Sequence, residues 1–264
     1  MHDNSSTILA TTPAPVLPPT KKPVKIRVFA VGPNGGGVRK TKTALLCGSI
    51  AGAAGYTVIY VCADPGIGSL SASLKVGGPN RVQLFPEEET ADYAQVLLAA
   101  AEAHDAGVVI IDLGANAMLN TAYRRTLRKA FADLKAGGHE TFVMISLVPG
   151  KVGLEEDAAQ FASKMEKVAT VVAVIHGRED GGDFAQFDEL KQDYDFAEVP
   201  NDHSAILDLI TEAGVTPFDW CATPVPGFSQ AAASMASNLH KLASQPTIIK
   251  VIGTDAAVHV LANL

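Results

Sequence analysis

The stretch GPNGGGVRKTKTALL, from Gly32 to Leu46, gathers the residue types that bind phosphate. Glycines let backbone N–H groups approach phosphate oxygens, a lysine reaches the β and γ phosphates, and a neighbouring hydroxyl holds Mg2+. Taking Lys40 and Thr41 as the Lys-Thr pair puts Gly35, Gly36, Gly37, Val38 and Arg39 in the turn, with Lys42 just beyond. A shifted register, with Lys42 and Thr43 as the pair and Gly36 opening the loop, keeps fewer of these features and ranks second. Two aspartates end strand-like runs further along: Asp64 in VCADPGIGSL and Asp112 in VVIIDLGAN. A carboxylate at the C-terminal edge of a strand lies where open α/β sheets bind ligands. Asp112, after four apolar strand residues, suits a Mg2+ ion held through water, with Gly114 opening the loop beyond. For Asp64 the alternative is a plain Asp-Pro-Gly turn.

These groups need a scaffold, and the hydrophobic pattern supplies one. KIRVFAV at 25–31, YTVIYVC at 56–62, RVQLF at 81–85, GVVIID at 107–112, TFVMISLV at 141–148 and TVVAVIH at 170–176 are nearly continuous apolar runs. Such runs suit strands buried on both faces. Helix-like segments at about 40–54, 88–105, 118–136 and 151–168 separate them, each long enough to cross over a sheet. The expected fold is α/β: a doubly wound, mostly parallel sheet flanked by helices. Segments at about 202–213, 228–244 and 254–262 read as further helices, with TPVPG at 223–227 as a connection.

Residues 1–23 are rich in Pro, Thr and Ser and poor in large apolar groups, which predicts a disordered or polyproline-like tail before one domain over 24–264. The 264 residues are 47% hydrophobic with a formal net charge of -7, against wholesale wrapping by nucleic acid. Cys47, Cys62 and Cys221 lie far apart with no C-x-x-C pair, so neither a disulfide framework nor a zinc site is suggested. No signal-peptide pattern and no apolar run of roughly 20 residues occurs, so a soluble, cytoplasmic protein is expected.

The loop resembles the deviant Walker A loop, K-G-G-x-G-K-[ST], of the ParA/MinD group of dimerising ATPases. That group includes plasmid and chromosome partition proteins, division-site regulators and conjugation accessory ATPases. Gly36, Gly37, Val38, Lys40 and Thr41 match the pattern. Gly35 stands where the family has its signature lysine, and Arg39 where it has the last loop glycine. The signature lysine reaches across the dimer to the partner's nucleotide, which glycine cannot do. Arg39 adds a side chain where the backbone is tight: it reshapes the loop, points outward, or replaces the missing cation. The resemblance implies a P-loop NTPase fold that binds ATP or ADP with Mg2+. It assigns Lys40 to catalysis on the phosphates, Asp64 to the attacking water and the metal, and Thr41 and Asp112 to the metal. Cys62 occupies the place of a further family aspartate, and His176 to Arg178 fall where the family holds the base. A solvated loop is the alternative there.

The resemblance further implies a homodimer, working with a DNA-bound adaptor protein or non-specific DNA, and weak ATPase activity given the altered loop. Arg124, Arg125, Arg128 and Lys129 gather on neighbouring turns of one helix, a stripe for DNA or an acidic partner unless it is only a solvated face. TDAAVHVLANL at the C-terminus lacks the basic polar face of a membrane-targeting helix, so no membrane partner is expected. Two readings compete: a nucleotide-controlled dimer in partition or DNA transfer, and a pseudoenzyme kept as an interaction or DNA-tethering module. An iron–sulfur reductase is disfavoured by the cysteine positions, and nothing marks a ligase substrate.

Overall fold

In the computed structural model the described residues are 25–32, 37–63, 70, 74, 81–83, 92–114, 121–177, 184–199, 204–224 and 226–263. The tail expected over residues 1–23 lies outside them.

Seven strands form one sheet: β1 (Arg27–Gly32), β2 (Val58–Ala63), β3 (Arg81–Gln83), β4 (Val108–Leu113), β5 (Glu140–Leu147), β6 (Thr170–His176) and β7 (Asp195–Val199). Their order is β3-β2-β4-β1-β5-β6-β7, and every pairing is parallel. The period of two explains why the runs look continuous. Val28, Ala30, Val109, Ile111, Val143 and Ile145 face one core, while Phe29, Val31, Val108, Ile110, Phe142 and Met144 face the other.

On the first face lie α2 (Tyr93–Ala103), α3 (Thr121–Ala136) and α4 (Leu154–Met165), whose buried residues join that core. A short 3-10 turn (Phe184–Phe187) and α5 (Asp188–Asp193) add Phe187 and Leu190. The second face is covered by α1 (Lys40–Ala53), itself buried beneath α7 (Pro217–Ala222), α8 (Ser229–Ala243) and α10 (Thr254–Asn263). This extra layer explains why α1 is apolar nearly all round: Leu45, Leu46, Ile50 and Ala51 are all buried. Trp220, Met235, Leu239 and Val260 from the outer helices share that core, with α6 (Ser204–Ala213) and α9 (Pro246–Ile252) beside them.

Several elements depart from the sequence reading. The helix expected from residue 151 starts at Leu154, because Gly153 before it has φ 78° and leaves Lys151 in a turn. β7 was not expected: only Ala197 and Val199 of it are buried, so it reads as polar. It is nevertheless an edge strand, and Gln245 completes it by accepting from Glu198 N at 2.8 Å and donating to Glu198 O at 2.5 Å. The short α7 and α9 were also missed, although Thr216 caps α7 by accepting from Asp219 N at 3.1 Å and each begins with proline.

Candidate functional site

The chain reverses direction across the sheet at β1, which pairs with β4 on one side and β5 on the other. In open α/β sheets this switch point, at the C-terminal ends of the strands, is where ligands bind. The turn from β1 into α1 lies there. Gly35 and Gly36 fall outside the described residues; Gly37, Val38 and Arg39 lead directly into Lys40, the first residue of α1.

Gly37 has φ 69° and Arg39 has φ 62°, ψ 27°, both left-handed. Arg39 thus holds a backbone conformation that glycine adopts freely, at a cost of about 1 kcal/mol or more. The arginine side chain is directed away from the turn: Nη1 donates to Gly177 O at 3.1 Å, at the end of β6. The N-cap residue Arg39 makes no side-chain capping bond, and no acidic residue stands in the first turn of α1. Its N-terminal N–H groups and dipole therefore face the turn amid Arg39, Lys40 and Lys42, a setting that favours an anion.

Thr41 Oγ1 donates to Asp112 Oδ2 at 2.7 Å. Asp112 is 4% exposed and belongs to β4, where it pairs in register with Val31 of β1 and Cys62 of β2. Oxygen donors of this type are what Mg2+ accepts, so the hydroxyl and carboxylate fit that ion. Cys62 is 1% exposed beside Asp112. An aspartate there would set a second buried carboxylate against the first, whereas the thiol adds no charge.

The two residues of the shifted register make other contacts. Lys42 Nζ reaches Asp208 Oδ1 at 3.2 Å, on α6, and Thr43 is fully buried away from Asp112. Thr43 is part of a polar column below the turn. Ser146 Oγ has one proton and donates it to Val38 O, which can only accept. Thr43 therefore donates to Ser146 Oγ at 2.9 Å, and His176 Nε2, 2.7 Å from Thr43 Oγ1, must carry a proton. His176 is 0% exposed, and its bare Nδ1 has no hydrogen-bond partner among the described residues. Burial, with the charges of Arg39 and Lys42, pushes its pKa down to about 3, so the ring is neutral. His176, expected where the base of a nucleotide would sit, is here enclosed under the loop and bonded to Thr43. Arg178 and Asp64 lie outside the described residues.

Two groups were not anticipated. A β-carbon built on Gly37 would lie 3.2 Å from Lys151 Nζ, so an ammonium from the β5–α4 turn stands beside the phosphate loop. Gln186 fixes that turn: its Oε1 accepts from Gly150 N at 2.8 Å and its Nε2 donates to Lys151 O at 3.0 Å. The glycines flanking Lys151 in PGKVG were the available signal; Gln186 gave none. The stripe Arg124, Arg125, Arg128 and Lys129 lies on α3, with Arg125, Arg128 and Lys129 exposed and Arg124 half-buried.

No family model matches the chain, and no curated protein does. Among solved structures it is similar to the septum site-determining protein MinD of Pyrococcus horikoshii OT3 complexed with Mg-ADP. The identity is 14%, the TM-score 0.52, and the match spans 83% of this chain and 98% of that one. MinD of Aquifex aeolicus matches at 12% identity over 89% and 97% of the two chains, TM-score 0.51. The ATP complex of a Cyanothece McdA variant matches at 11% identity over 81% and 96%, TM-score 0.51. The chain therefore has the α/β P-loop NTPase fold. No helix among the described residues is long and apolar enough to cross a membrane.

Proposed function

We propose that this chain is a ParA/MinD-type nucleotide-binding protein, a nucleotide-controlled dimer that takes ATP or ADP with Mg2+ at Gly35 to Thr41 and hydrolyses ATP slowly. The observation that carries the reading is the 2.7 Å bond from Thr41 Oγ1 to Asp112 Oδ2 in the first turn of α1. It joins a hydroxyl and a carboxylate from two separate motifs at the mouth of a glycine turn, where the helix end is electropositive. In this reading the N–H groups of Gly35, Gly36, Gly37 and Val38 cradle phosphate, and Lys40 extends along the β and γ phosphates. Thr41 and Asp112 would hold the metal, with Asp64, which would also orient the attacking water. Bound Mg2+ would neutralise charge on the phosphates. Lys151, whose ammonium lies beside Gly37, supplies from another loop the cation that Gly35 lacks. Support also comes from the Mg-ADP and ATP complexes of the similar MinD and McdA structures. The process served is partition or DNA transfer, with a DNA-bound adaptor protein or DNA as partner.

A second reading, the static binder, is favoured by the strained Arg39 tether, which would hold the loop in one state. Fluorescent ATP and ADP analogues with Mg2+ separate the two, with phosphate release followed in the same samples. Saturable binding is expected in the native protein and lost in Lys40→Ala; slow release is expected to fall in Lys151→Ala and return in part in Lys151→Arg. Binding without release selects the static binder. Absence of binding by the native protein overturns both and leaves the fold as an interaction or DNA-tethering module.

A further inference from the structure

The exposed side of α3 has a second feature besides its charge. Thr121, Arg124, Arg125, Arg128, Lys129 and Ala132 recur at helical spacing and form one continuous face, opposite the buried Tyr123, Leu127, Phe131 and Leu134. That face is one wall of a groove of about 540 Å3. The other wall is the end of α4 and the turn after it, with Lys164 half-buried, Met165 buried and Val168 half-buried. α3 carries five cations and a single carboxylate, Asp133, in a protein whose formal net charge is -7. Asp133 lies off the groove face and pairs with Lys129 at 2.8 Å.

We propose that this groove is the docking site for an acidic, amphipathic peptide segment of a partner protein. The charge pattern and the floor point to the same occupant. Five cationic side chains rim the groove, and such a rim attracts and orients carboxylates. Between them the floor is built by Ala132, Met165, Val168 and the aliphatic stems of the arginines and lysines, which bury well against apolar side chains and not against phosphates. Duplex DNA would meet the rim and leave this trough unfilled, and no aromatic residue lines it to stack a base. A helix with Leu or Met on one face and Glu or Asp along its flanks satisfies both, in the way amphipathic helices enter grooves elsewhere. None of the groove's residues belongs to the turn before α1, so the proposal stands apart from the reading of the phosphate loop.

The test uses the full chain and a random peptide display library, selected on the native protein with counter-selection on Ala132→Trp, which fills the groove without altering charge. Ala132 is exposed, and circular dichroism checks that the variant folds. Enriched peptides are expected to combine acidic residues with apolar ones at helical spacing. By fluorescence polarisation they should bind about ten-fold or more weaker to Arg125→Glu/Arg128→Glu and to Ala132→Trp. A labelled duplex DNA is measured alongside. The proposal is overturned by any of three results: no enrichment over Ala132→Trp, enrichment of basic or uncharged peptides, or DNA binding weakened by the charge reversal while no peptide binds.

Discussion

Arg39 offers a clean test of the reasoning about the loop backbone. Its φ of 62° and ψ of 27° are the conformation glycine adopts freely, and its side chain ends at Gly177 O, 3.1 Å away. Comparing Arg39→Ala with Arg39→Gly isolates the backbone, because both lose the guanidinium and its bond. Alanine retains the left-handed penalty of about 1–2 kcal/mol. Glycine removes it but gains unfolded-state freedom costing about 0.5–1 kcal/mol. The difference favours glycine by about 1 kcal/mol, although in the body of a helix alanine wins by about that amount. For a chain of this length that corresponds to roughly 2 °C in Tm. Urea unfolding followed by circular dichroism, with thermal scans on the same samples, measures it. Arg39→Ala as stable as Arg39→Gly, or more so, would refute the left-handed assignment and with it the view that the turn keeps its phosphate-loop shape. The native protein should be at least as stable as Arg39→Ala, since a charged donor to a carbonyl contributes about 1.5 kcal/mol when sheltered.

Three further outcomes are expected. His176, with its pKa near 3 when folded, binds a proton in the unfolded chain first, so stability is full above about pH 6.5 and falls as pH drops towards 3. At pH 5 its share of the loss is about 2 kcal/mol, and urea midpoints of His176→Gln should decline less than native between pH 7 and pH 5. Gly48→Ala would drive a methyl group into the buried Tyr60 ring, where α1 lies on β2, and should cost about 1–3 kcal/mol by urea unfolding; an unchanged midpoint would mean α1 is placed differently. Gln186→Ala releases both bonds on the Gly150–Lys151 backbone, so phosphate release should fall while nucleotide affinity stays within about two-fold; equal loss of both would mean that Lys151 serves binding instead.

The inner strands were legible because burial on both faces leaves no polar position to interrupt the run, as in VVIIDL of β4. β7 was not, because an edge strand buries only two of its residues and takes its last hydrogen bonds from a side chain, Gln245, that lies 47 residues away in sequence. The same distinction runs through the site. Thr41 and Asp112 could be found because each belongs to a local pattern, and the fold brings the two patterns to one bond. Ser146 could not, since a buried serine in apolar surroundings carries no spacing of its own, and Thr43 was visible only as part of the shifted register; their joint role exists only once β5, α1 and β6 converge.

That convergence bears on how substitutions in a motif should be weighed. Two bonds tie the turn to elements outside it, Val38 O on Ser146 of β5 and Arg39 on the carbonyl after β6, and the Lys151 ammonium lies beside Gly37. Gly35 carries no charge where the resembled pattern has lysine, while the geometry offers a charge from a turn held by Gln186. Arginine at position 39, where that pattern has glycine, strains one residue, while its side chain adds a tether that glycine would lack. A motif counted along the chain scores both changes as losses. Counted in space, each removes one contribution and introduces another, so the departures at 35 and 39 are not by themselves grounds to read the site as a relic.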